Sequence, residues 1–211
     1  NDFLQLVGQG RMTKEEAVKT AESVAEFIQT ESGELSPVDW YVKALAREIA
    51  GIVSPYYTDD INEPMVVRLP DFKTNEHADL LGGRAYEPVE ENPMLGDRGA
   101  GKYLGAYQKA FLAIDLKALA YVINDMGYTN IHIEVPFVRT PDEMKEVARL
   151  VKESGINIPL QMMFELPVNI SRATEFFKVS DGGQIGSNDL LQLEFGLDRS
   201  GGDILPWHIQ H

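Results

Sequence analysis

The chain has 211 residues, 44% of them hydrophobic and 25% charged, enough for one cored domain or two small ones. Its 19 Lys plus Arg against 33 Asp plus Glu give a formal net charge of −14, which argues against nucleic acid or an acidic membrane as a partner. Cysteine is absent, so disulfides, thiolate metal sites and a cysteine nucleophile are excluded within these residues.

No apolar run approaches the roughly 20 residues of a membrane span, and Asn1-Asp2-Phe3 lacks a basic and then apolar leader pattern, so cytoplasm is the default expectation. Residues 11–31 read as a helix, opened by a capping box of Thr13 and Glu16 and carrying Ala17, Ala21, Val24 and Ile28 at helical spacing. A second helix is expected over 38–52, with Trp40, Tyr41, Leu45 and Ile49 on one stripe. Met65-Val66-Val67-Arg68-Leu69 is a short strand closed by Pro70. The stretch 71–102 is rich in Gly, Pro, Asn and acids and has no periodicity, which marks a functional or disordered segment.

Helical spacing returns over 107–126, with Gly127 as C-cap. Ile131-His132-Ile133-Glu134-Val135 is a strand, and Thr140 followed by Pro141 opens a helix that ends near Gly155. A strand over 160–164, a helix over 170–178, a strand over 183–185 and a helix over 189–195 complete the series. This alternation implies α/β architecture with a parallel sheet, either an open doubly wound sheet or a (β/α)8 barrel of TIM type; the missing glycine-rich dinucleotide fingerprint leans toward the barrel. Residues 1–64 are read as a helical N-terminal segment and 65–211 as the β/α repeats of the same domain.

Glu165 and Asp189 each sit where a short apolar run stops, in Phe164-Glu165-Leu166-Pro167 and Gly186-Ser187-Asn188-Asp189. Carboxylates at neighbouring strand ends are the oxygen ligands Mg²⁺ or Mn²⁺ uses when it also holds a phosphorylated substrate. The plainer alternative is that Glu165 pairs with an arginine and Asp189 caps the following helix. The histidines at 77, 132, 208 and 211 show no ligand spacing. Arg68, within an apolar strand, must meet an anion: either Glu134 as a structural partner or a phosphate held by its fork. Arg98 stands in a loop whose glycines permit close backbone approach, Asn188 could donate its amide or shape a turn, and Arg199 by itself says little.

Several of these segments together resemble the phosphoenolpyruvate synthases. The resemblance is carried by Val67-Arg68-Leu69-Pro70-Asp71-Phe72-Lys73-Thr74-Asn75-Glu76, Asn92-Pro93-Met94-Leu95-Gly96 with Arg98-Gly99, and Val135-Pro136-Phe137-Val138-Arg139-Thr140. It continues through Phe164-Glu165-Leu166-Pro167, Ile185-Gly186-Ser187-Asn188-Asp189-Leu190 and Gly196-Leu197-Asp198-Arg199, covering roughly residues 36–200. It implies a barrel that binds phosphoenolpyruvate and pyruvate at its C-terminal face, where a phosphoryl group passes between pyruvate and a phosphohistidine on a mobile domain. Glu165 and Asp189 would bind Mg²⁺ (or Mn²⁺), and Arg68, Arg98 and Arg199 would hold phosphate and carboxylate with help from Asn188. Partners implied are the phosphohistidine and ATP-binding domains of the intact enzyme and a second copy in a homo-oligomer.

The family's first-strand Gly-Leu-x-Arg motif would precede Asp2 and its Cys-Gly motif would follow residue 211, so no catalytic residue of that kind is assigned here. With about five of a barrel's eight strands, the chain is expected to lack the first and last and to be a segment of a longer enzyme, inactive alone. Pyruvate phosphate dikinase and a non-catalytic scaffold domain are the competing readings.

Overall fold

The computed structural model describes residues 6–58, 60, 63–105 and 108–197. Two helices lead. Helix α1 spans Lys14–Ser32, and its start is fixed reciprocally: Glu16 N–H donates to Thr13 Oγ1 at 3.2 Å, and Thr13 N–H to Glu16 Oε2 at 2.9 Å. Helix α2, Pro37–Val53, is capped by Ser36, whose Oγ accepts from Asp39 N–H at 3.1 Å, with proline in the first turn where its missing N–H costs nothing.

Strand β1 (Met65–Arg68) is followed by the irregular segment, which holds short helices α3 (Thr74–Ala78) and α4 (Gly99–Tyr103). Buried carboxylates pin this segment down. Glu87 meets Lys102 Nζ at 2.7 Å and His77 Nδ1 at 2.5 Å, and Glu90 accepts from Thr74 Oγ1 at 2.7 Å and Asp97 N–H at 2.9 Å. Where periodicity is missing, ion pairs supply the order.

Helix α5 (Gln108–Ala120) runs into a π turn over Tyr121–Asp125 before Gly127, whose φ of +83° reverses the chain. Strand β2 (Ile131–Val135), helix α6 (Pro141–Glu153, capped by Thr140) and strand β3 (Leu160–Phe164) fall where their sequence signals put them. The helix expected over 170–178 starts earlier and is broken, as α7 (Pro167–Ser171) and α8 (Ala173–Phe176). Pro167 opens α7 because its fixed φ suits a first helical position, a signal outweighed in the sequence by the apolar run before it. Strand β4 (Gly182–Ile185) and helix α9 (Ser187–Phe195) follow.

The four strands form one parallel sheet in the order β1-β2-β3-β4. The described residues provide four strands rather than about five, and the sheet has open edges at β1 and β4. One face is apolar: Ile133, Val135, Met162 and Phe164 pack with Leu112, Leu116 and Leu119 of α5 and Met144, Val147 and Val151 of α6. A second cluster, Ala46, Val53, Ala118, Val122 and Ile131, ties α2 to α5 and the edge of that face. The alternate strand positions carry polar groups on the other face, where Arg68 is in register with Glu134 and Glu134 with Gln161. Such alternation places the strand ends, and the loops that leave them, around a common rim.

Candidate functional site

At that rim, beyond the C-terminal ends of β1, β3 and β4, lies a cleft of about 740 Å³. Arg68, Asp71, Arg98, Glu165, Asn188 and Asp189 line it together with Lys73, Glu76 and Met163. Five of the six sequence-derived site residues therefore share one cavity; Arg199 lies outside the described residues.

Glu165 leaves β3 and is only 2% exposed. Asn169, fully buried, organises its backbone: Asn169 Oδ1 accepts from the N–H of Glu165 at 3.2 Å and of Leu166 at 2.9 Å, while its amide donates to Val138 O at 2.8 Å. Glu165 Oε1 accepts from Phe137 N–H at 2.6 Å. That N–H is aimed by an unusual backbone, because Phe137 has φ of 50°, a left-handed conformation that non-glycine residues seldom adopt. Burial pushes the Glu165 carboxyl up to about 7; the Phe137 bond and Arg98 pull it down, while Asp189 and Asp71 push it further up.

Asp189 occupies the first turn of α9. The approach to it passes Gly186, where a Cβ would stand 2.5 Å from Glu165 Oε2 and 2.6 Å from Glu165 Cβ, so glycine lets the two acidic segments lie together. Arg98 joins them. Its Nη1 and Nη2 donate to Asp189 Oδ1 and Oδ2 at 3.0 and 3.2 Å, its Nε and Nη2 to Asp71 at 3.1 and 2.5 Å, and Nη1 reaches Met94 O at 3.4 Å. The guanidinium also lies 4.1 Å from the centre of the Phe137 ring, and Arg139 stacks on the same ring at 4.7 Å. Burial works against the Arg98 charge, but the bonds from Asp71 and Asp189 outweigh it and raise its pKa.

Arg68 corrects a premise of the sequence reading. It is exposed at the end of an edge strand rather than buried, so nothing obliges it to meet an anion within the chain. Among the described residues it makes no salt bridge; Nη1 contacts Met163 Sδ at 3.4 Å, and its charge acts on Glu134 across the register. Burial pushes the Glu134 carboxyl up and Arg68 draws it down. Asn188 is exposed at the mouth of the cleft. The plainer reading of the two acids also changes: Asp189, not Glu165, holds the arginine.

Among the described residues no group of three or more His, Cys, Asp or Glu is arranged to hold a metal. Glu165 and Asp189 are two oxygen donors with interacting charges, and a bound Arg98 guanidinium stands where positive charge is favoured. That donor set suits a hard cation completed by ligand or water oxygens. His132 instead contacts Gln161 Nε2 at 2.7 Å on the polar sheet face.

Asp71, Phe137 and Asn169 were not singled out from the sequence. Asp71 had a legible signal, an acid just after the Arg68-Leu69-Pro70 strand end. Asn169, two residues after a proline that opens a helix, had a weaker one. The backbone of Phe137 had none.

Residues 15–207 match the family described as PEP-utilising enzyme, PEP-binding domain. The phosphoenolpyruvate synthase of Neisseria meningitidis is 44% identical over 183 residues, covering 84% of this chain and 22% of the relative. That of Escherichia coli is 44% identical over 174 residues, covering 80% and 22%, and that of Aeropyrum pernix 36% identical over 168 residues, covering 77% and 20%. The chain thus spans about one fifth of the length of these relatives. No helix among the described residues is long and apolar enough to cross a membrane.

Proposed function

Since the chain belongs to the PEP-utilising enzyme family, through its PEP-binding domain, we propose that its cleft binds phosphoenolpyruvate and pyruvate around a divalent cation held by Glu165 and Asp189. The observation that carries this reading is the convergence of both carboxylates with Arg68 and Arg98 in one cavity at the strand ends. The names of the relatives favour a synthase over a dikinase, and the reaction would be phosphoryl transfer from a phosphohistidine on another domain to pyruvate.

In that reaction pyruvate would lose a methyl proton to the base that the resemblance places beyond residue 211, and the resulting enolate oxygen would form a bond to phosphorus as the phosphorus–nitrogen bond of the phosphohistidine breaks, leaving phosphoenolpyruvate and free histidine. A cation such as Mg²⁺ or Mn²⁺ would supply Lewis-acid stabilisation of the enolate oxygen. The residues of this chain bind and orient. Arg68, exposed and free of salt bridges among the described residues, is the guanidinium best disposed to meet a phosphate. Arg98 offsets carboxylate charge beside it, Asn188 offers an amide at the mouth, and Arg199 joins them by resemblance. The ends of four sequentially ordered parallel strands suit an arc of a (β/α)8 barrel, whose remaining strands, phosphohistidine domain and ATP-binding domain would come from elsewhere in a longer protein.

Isothermal titration with Mg²⁺ and oxalate, an enolpyruvate mimic, tests the reading. Oxalate should bind only with the cation present, and Glu165→Ala and Asp189→Ala should each abolish the heat. Parent-like binding by both variants would remove the metal assignment.

A further inference from the structure

Behind the segment that carries Asp71 lies a second cavity of about 370 Å³, between α2, α3 and α5, within the range of about 300–1,000 Å³ usual for small-molecule sites. Its walls are mainly apolar, with Leu112 buried at the base and Val38 and Leu80 at the rim. Of its aromatic side chains Tyr103 is buried, while Tyr41, Phe72 and Phe111 are each at least 40% exposed. Rings left this open on separate elements provide the faces that attract a desolvated cation.

One acid stands among them. Asp115, also lining the cavity, accepts from Tyr41 Oη at 3.0 Å and makes no salt bridge among the described residues. The basic side chains at the wall are engaged elsewhere: Lys102 and His77 both contact the buried Glu87, at 2.7 and 2.5 Å. Burial pushes the Asp115 carboxyl up to about 6, against the pull of the Tyr41 bond and His77, so its charge is poorly compensated by its surroundings.

We infer that this cavity is a binding site for a small organic ammonium with an aromatic or alkyl body, its cation seated against Asp115 and among the rings of Tyr41, Phe72 and Phe111. The site is separate from the carboxylate cleft but shares Pro70 and Phe72 with it, so an occupant leans on the segment that places Asp71 against Arg98. An anionic ligand is disfavoured, since the two basic groups at the wall already serve Glu87.

Three probes of one shape separate charge from bulk: phenethylammonium, 2-phenylethanol and 3-phenylpropionate, titrated at pH 7.5 into the chain by ligand-observed NMR and calorimetry. The ammonium should bind about ten-fold or more tightly than the alcohol, and the carboxylate not at all. Asp115→Asn should erase the preference while retaining weak binding of both uncharged and charged probes. Val38→Trp, which fills the rim, should abolish binding of the ammonium and of the alcohol, with circular dichroism confirming the fold of each variant. Equal binding of ammonium and alcohol, ammonium affinity unchanged in Asp115→Asn, or no binding by any probe would overturn the inference.

Discussion

Arg98 grips Asp189 as a fork, Nη1 and Nη2 lying 3.0 and 3.2 Å from Oδ1 and Oδ2, and its remaining N–H groups go to Asp71 and Met94 O. All five guanidinium hydrogens are thereby engaged within a residue that is 2% exposed. This guanidinium is the internal cation of a cluster formed by Asp71, Glu165 and Asp189.

Replacing Arg98 by Met should therefore leave uncompensated carboxylates in a closed site, at a cost of about 3–5 kcal/mol. A divalent cation that binds the native state should offset part of this, because ligand binding raises stability through mass action. Thermal unfolding with and without Mg²⁺ checks both effects: a lower midpoint for Arg98→Met, and a larger Mg²⁺-induced rise than in the parent. An equal rise in both proteins would mean that the guanidinium and the metal do not compete for Asp189.

Gly186 is the contact point between the two acidic segments. A methyl group there would overlap Glu165 Cβ, which is backbone-anchored and cannot swing away. Gly186→Ala should destabilise the chain by about 1–3 kcal/mol through overpacking. By displacing Glu165 it should also weaken Mg²⁺ affinity by about 10–100-fold, the usual effect of disturbing the support of a metal ligand. Titration calorimetry reads the affinity, and the loss should exceed that of Gly183→Ala, a neighbouring strand glycine whose Cβ would meet Phe164 and Met162 O rather than Glu165.

The regular elements were legible because their signals are local. The capping box at Thr13, the helix start at Thr140-Pro141, the strand 131–135 and the strand 160–164 all formed as expected. The convergence of Arg68, Arg98, Glu165, Asn188 and Asp189 was also anticipated, since each lies at a strand's end or in the segment that follows one, on the same side of a parallel sheet. Their pairing was not. Whether Arg98 or Arg68 meets a carboxylate depends on the depth of the strand edge and on loop packing, neither of which has a sequence period. The same is true of the left-handed Phe137, which lies so close to Gly99 that a Cβ added there would overlap Phe137 Cβ and stand 2.5 Å from Pro136 O.

Asn169 illustrates the cost of losing such a non-local tie. It serves three backbone groups from a fully buried position, two of them on the Glu165-Leu166 link. Asn169→Ala should leave at least one of those buried groups unsatisfied and destabilise the chain by about 1–3 kcal/mol for each. Denaturant unfolding gives the stability, and amide exchange at Glu165 and Leu166 should accelerate more than exchange in α6. Uniform acceleration would assign Asn169 to global packing alone.

Asp115 gives the chain a pH dependence whose sign is fixed by the direction of its shift. Its carboxyl titrates at about 6 in the folded chain, pushed up by burial, against an ordinary value of 3.8. Between those values the folded state binds more protons than the unfolded state, so stability falls as pH rises through that window and levels off above it. The groups facing the carboxyl are Tyr41 from α2 and His77 beside α5, and both remain in an Asp115→Asn variant. The asparagine oxygen still accepts from Tyr41 while the penalty for burying a charge disappears. Asp115→Asn should thus be more stable than the parent at pH 7.5, and the advantage should vanish by pH 4, as measured by urea unfolding across the range. A constant difference between the two proteins from pH 4 to 7.5 would show that Asp115 ionises freely and that the cavity it lines is wet.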